Sequence, residues 1–164
     1  MMRRIFVILI GIVALFMFTG CAALISQFYP TVEIEIGNRH STHWFDFTIH
    51  SIEVVEGYAG HTAVYGHQLW KVDITQTGTF HEPVPMFDTD WFMDDDSFRA
   101  VLFPHPQFEG REEMMPEAFW LPRGQSERHI MLFEVPMHTT NLTLSYEEMD
   151  DRYIVWSHFV LDLQ

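Results

Sequence analysis

Residues 68–78 read QLWKVDITQTG. Leu69, Lys71, Asp73 and Thr75 fall on one side of an extended chain, with Trp70, Val72 and Ile74 on the other. Successive side chains leave a β-strand on opposite faces, so this two-residue period predicts a strand. Thr77-Gly78 ends it with a turn signal.

The pattern recurs in both directions. In TVEIEIG (31–37) Val32, Ile34 and Ile36 oppose Thr31, Glu33 and Glu35. In HWFDFTIHSIEVVE (43–56) Phe45, Phe47 and Ile49 share a face, whereas Ile52 and Val54 fall in the other register. That switch near His50-Ser51 predicts a bulge or bend. GYAGHTAVYGH (57–67) holds three glycines and reads as a hairpin loop. A strand is expected from Met86 to Met93, then an acidic turn Asp94-Asp95-Asp96-Ser97 and a strand from Phe98 to Phe103. PHPQFEGREEMMPE (104–117) reads as a long loop. Pro122-Arg123-Gly124 forms a turn before a strand from Arg128 to Val135, stopped by Pro136. NLTLSYEE (141–148) and RYIVWSHFVLDL (152–163) supply the last strands. No stretch carries a convincing amphipathic helix, and no long repeat is present. Short alternating strands between proline and glycine turns predict an all-β fold, an immunoglobulin-like antiparallel β-sandwich over residues 31–164.

The N-terminus has a different character. Arg3 and Arg4 precede an apolar run from Ile5 to Phe18, too short for the roughly 20 apolar residues of a membrane span. A basic start, an apolar run and small residues describe a signal peptide over residues 1–20. Phe18-Thr19-Gly20-Cys21 resembles the lipobox of bacterial lipoproteins, with Phe18 where leucine is usual. The resemblance implies a diacylglycerol on Cys21 and cleavage just before it. Residues 21–30 are then a lipidated tether, and localisation is the extracytoplasmic face of the cell membrane. Cys21 is the only cysteine, so disulfides and multi-cysteine zinc sites are excluded from the domain.

Composition limits partners. The chain has 9 Lys+Arg against 23 Asp+Glu, a formal net charge of −14, and removing Arg3 and Arg4 with residues 1–20 makes it −16. Nucleic acid needs a basic footprint, and anionic lipid attracts basic surfaces, so neither partner is expected. The membrane is reached through the lipid. Aromatic residues at 15% argue against disorder.

Three stretches, QLWKVDITQTGTF, WFMDDDSFRA and LPRGQSERHIMLFEVP, resemble the DUF4352 group of extracytoplasmic bacterial lipoproteins. The matching pieces are Thr77-Gly78, Asp94-Asp95-Asp96, Pro122-Arg123-Gly124 and Phe133-Glu134-Val135-Pro136. The resemblance spans about residues 40 to 162 and implies an immunoglobulin-like sandwich on a lipid anchor. It supplies no ligand.

Candidate sites are few. Asp90, Asp94, Asp95 and Asp96 offer the oxygen ligands that Ca²⁺ prefers, although the spacing and glycine of an EF-hand are absent and a solvated turn is the competing reading. Ten histidines raise zinc, with His40 and His43 as an H-x-x-H pair beside His61, His67 and His81. Zinc needs three or four converging ligands, and these spacings match no established signature. No nucleophile elbow is present, and no cofactor is implied. Tryptophans in such strands usually pack. Trp120, in the proline-rich region, is the one expected to contact a partner. Met114 and Met115 are expected to fill gaps. The expectation is a non-enzymatic binding or interaction module with a protein or cell-wall partner, and a Ca²⁺- or Zn²⁺-binding lipoprotein is the alternative.

Overall fold

The computed structural model describes residues 30–95, 113–149 and 155–163. The alternating stretch 68–78 lies in β6 (His67–Gly78), at the middle of a four-stranded antiparallel sheet with β10 (Ser126–Pro136) on one side and β3 (Phe45–Val55) on the other. β2 (Arg39–Ser41) completes that sheet beyond β3. A second sheet has the order β1 (Thr31–Glu33), β12 (Val155–Leu163), β11 (Leu142–Met149), β8 (Trp91–Asp95). The two pack as a β-sandwich. Phe45, Phe47, Ile49, Val72, Ile74, Met131, Phe133 and Val135 from the first sheet meet Trp91, Met93, Leu142, Leu144, Tyr146 and Phe159 from the second. Phe47 lies edge-on to Trp91 at 5.1 Å and to Phe159 at 5.4 Å, and Phe45 lies edge-on to Tyr146 at 5.3 Å. Such pairs add about 0.5–1.5 kcal/mol each beyond area burial.

The expected bulge is present. Ile49 pairs with Ile74 and Ser51 with Asp73, leaving His50 as the extra residue. Because one residue is skipped, Ile52 returns to the core side, opposite Val72. The glycine-rich segment forms a small hairpin of β4 (Gly57–Tyr58) and β5 (His61–Thr62). Ala59 and Gly60 both have positive φ there, as a two-residue hairpin turn demands. Tyr58 and Ala63 cover a second, smaller cluster of Leu69, Met114, Ile130 and Leu132. Met114 and Met115 are buried, as packing residues.

The fold is the expected β-sandwich, and within it β1 runs parallel to β12. Two expectations need correction. The strand at 31–37 ends early: Gly37, at φ +83°, turns the chain and leaves Ile36 48% exposed. The stretch from Met86 to Met93 is two strands, β7 (Val84–Phe87) and β8, split by a single 3₁₀ turn at Asp88–Asp90. There the Phe87 N–H donates to Asp90 Oδ2 at 2.9 Å, a local bond that competes with the ladder. Asp94 and Asp95 consequently belong to β8 and not to a turn. β9 (Ala118–Leu121), a strand outside the expected set, pairs with β7 in a ribbon of its own. The strand expected over Phe98 to Phe103 lies outside the described residues.

The Pro122–Gly124 turn seats against the end of β6. The Gly124 N–H donates to Gly78 O at 2.8 Å, and the Gly78 N–H donates to Gln125 O at 3.0 Å. A Cβ at position 78 would lie 2.3 Å from Pro122 O, so only glycine fits.

Candidate functional site

The β7–β9 ribbon presents an exposed apolar surface. Its residues alternate strictly. Met86 and Leu121 are buried in the sandwich core, and Val84 and Phe119 pack against it. Pro85 opposes Trp120 and Phe87 opposes Ala118, all four on the outer side and exposed. Trp120 keeps 66% of its surface accessible and Phe87 46%. Behind them, Phe119 meets the His129 ring edge-on at 4.8 Å. Burial of that imidazole lowers its pKa, with Glu127 acting in the opposite direction. Trp120 is thus exposed, where Trp91 is fully buried and Trp44 and Trp70 are partly buried against the core. The Trp156 side chain lies outside the described residues.

The acidic residues spread apart. Asp90 sits in the 3₁₀ turn, Asp94 is paired with Thr143, and Asp95 is paired with Leu142. Adjacent strand residues point to opposite faces, which separates Asp94 from Asp95. Asp96 lies outside the described residues. Burial, assisted by neighbouring Asp88, pushes the Asp90 carboxyl up to about 6 against the opposing effect of the Phe87 hydrogen bond. Burial also raises Asp94, countered by His158.

The histidines are equally dispersed. His40 Nε2 accepts from the Glu35 N–H at 3.1 Å, His50 bonds Thr75 Oγ1 at 2.8 Å, and His61 bonds Glu134 at 3.1 Å. His43 and His81 flank Phe80, at 5.6 and 4.1 Å between ring centroids. Among the described residues no three His, Cys, Asp or Glu side chains converge to hold a metal. A depression of about 410 Å³ beside β1 and β12 is bordered by Thr31, Glu33, Thr143 and Asp162. Cys21 lies outside the described residues, and no helix among those described is long and apolar enough to cross a membrane.

Sequence reading missed the contact that joins the small hairpin to the sheet. Glu134 of β10 accepts from the Val64 N–H at 2.8 Å through one oxygen and bonds His61 through the other. The signal was available, since Glu134 alternates with core residues Phe133 and Val135 and must face outward, but its partner lies 73 residues away.

No family model matches the chain, and no curated protein matches it in sequence. Solved structures do match. An uncharacterised β-sandwich protein from Clostridium difficile aligns at TM-score 0.53 and 11% identity, covering 83% of this chain and 96% of its own. The yjhA protein from Bacillus subtilis aligns at 0.58 and 12%, covering 80% of this chain and 99% of its own. A candidate lipoprotein from B. subtilis, ycdA, aligns at 0.56 and 13%. It shares 78% of this chain but only 39% of its own length. The likeness is one of fold. It shows a β-sandwich and assigns no ligand.

Proposed function

We propose that this chain is a bacterial lipoprotein of the DUF4352 type, held by lipid on Cys21 at the extracytoplasmic face of the membrane. Its β-sandwich acts as a non-enzymatic binding module. The observation that carries the reading is the N-terminal order of Arg3-Arg4, an apolar run and Phe18-Thr19-Gly20-Cys21. A two-chain lipid gives stable anchoring where one chain would be marginal. The sandwich likeness to a candidate lipoprotein supports the same reading. Divalent-cation binding is the weaker alternative, because Asp90, Asp94 and Asp95 diverge. Intact mass spectrometry of membrane-extracted protein, beside Cys21→Ala, is the test. The expected product begins at Cys21 and carries diacylglycerol, which the variant lacks. An unlipidated chain, cut elsewhere or retaining residues 1–20, overturns the anchor.

A further inference from the structure

His129 is a titratable side chain enclosed by the fold. It lies on the core face of β10, in phase with Met131, Phe133 and Val135, and keeps only 8% of its surface accessible. Its Nδ1 is buried with no hydrogen-bond partner among the described residues. The β7–β9 ribbon meets it there. Phe119 of β9 contacts the imidazole at 4.8 Å between ring centroids, and Met86 of β7 opposes Phe119.

A neutral imidazole is tolerated in this position, because one ring nitrogen is then an N–H and the other a lone pair. Protonation makes both nitrogens donors and adds a charge. Nδ1–H becomes a buried donor without an acceptor, and the charge is held away from water. Among the described residues Glu127 is the charged group that acts on the ring, and it favours the proton, yet burial outweighs it and holds the imidazole below its ordinary value. The other neighbours bring no charge to it. From β6, Ile74 lies directly opposite. From β9 the contact is Phe119, and Glu117 before that strand is exposed. Glu113, whose carbonyl accepts from the Ile130 N–H, directs its carboxylate to Tyr58.

The ribbon is the element able to yield. β7 and β9 pair with each other and lie outside both four-stranded sheets. Lifting Phe119 from His129 therefore breaks no rung of either large ladder. Displacing β10 instead would break its continuous register with β6, from Ser126–Thr77 to Pro136–His67.

We propose that His129 makes the β7–β9 ribbon an acid-released strap: protonation of the imidazole lifts Phe119 and its strand from the sandwich and uncovers Met86 and Leu121. The closed ribbon favours the neutral imidazole. Closure is thus strongest above about pH 6.5 and weakens as pH falls below it. The strap belongs to the sandwich and does not depend on lipid at Cys21.

Amide hydrogen exchange of the full chain in mild detergent, corrected for intrinsic rates, tests this between about pH 7.5 and about pH 4.5. Protection over residues 84–87 and 118–121 is expected to fall below about pH 6.5, by up to about tenfold per pH unit because one proton is taken up per opening. The centres of β3 and β6 should keep their protection. Asp90, beyond the end of β7, titrates in the opposite sense, so each pH is read as the ratio of wild type to a His129 variant, in which Asp90 is common. His129→Gln is neutral at every pH, and His129→Phe keeps a ring against Phe119. Each is expected to remove the fall, and an unchanged amide spectrum at neutral pH shows that the variant is folded. A fall that persists in either folded variant overturns the proposal. So does ribbon protection that stays constant across the range, or a loss of protection spread evenly over the sandwich.

Discussion

Asp90 shows how one residue can set a pH response. Its carboxylate accepts the Phe87 N–H, yet burial raises its pKa to about 6 from 3.8. A carboxyl with a raised folded-state pKa favours the native state in its protonated form. Its contribution is therefore greatest at acidic pH and is lost as pH rises from about 4 through 6. Asp90→Asn keeps an oxygen for Phe87 and removes the charge. It should stabilise the protein near neutral pH by about 1–3 kcal/mol, at 1.36 kcal/mol per pKa unit, and by nothing below about pH 4. Urea melts of both chains across that range check this, and equal stability at pH 7 would contradict it. Gln76 makes a related point. It is fully buried, with no hydrogen-bond partner for its amide among the described residues. Alternation places position 76 on the core face with Val72 and Ile74, but nothing local says that a polar amide will be enclosed there.

At the scale of elements, the β4–β5 hairpin is joined to the sandwich by polar contacts as well as by the packing of Tyr58 and Ala63. Glu134 holds it through the Val64 N–H and His61. Lys71, whose ammonium lies 5.1 Å from the Tyr58 ring centroid, adds a cation–π contact. Glu134→Ala removes both bonds from β10 and should cost about 1–3 kcal/mol. Local opening should appear first: hydrogen exchange should quicken over residues 57–64 while the centres of β3 and β6 stay protected. Uniform loss of protection would show instead that the hairpin and sandwich open as one unit. The same element scale explains which strands were legible. β3, β6, β10, β11 and β12 are long enough for alternation to accumulate, and the bulge at His50 appears directly as a change of phase. β9 has only four residues and borders a polar, proline-punctuated stretch, so periodicity had nothing to count. The break at Asp88–Asp90 was hidden because Met86, Trp91 and Met93 are all buried while belonging to different sheets.

For the whole molecule, the dominant feature is acidic self-repulsion on a sandwich without disulfides. With a net charge of −14, raising sodium chloride from about 0.01 M to about 1 M shortens the Debye length from ~30 to ~3 Å. The melting temperature should rise by several degrees, most steeply at low salt. A flat response would mean that local pairs such as Arg128 with Asp73, at 2.7 and 2.9 Å, already balance the field. The all-β class, most strand positions, the phase change in β3 and the acidic charge are properties of neighbours along the chain and can be read from it directly. The parallel seat of β1 on β12, the division of Asp94 from Asp95, the Glu134 attachment and the exposure of Trp120 arise on folding. Those depend on which strands pair across long separations in sequence, and a two-residue period records the face of a side chain without recording what that face will meet.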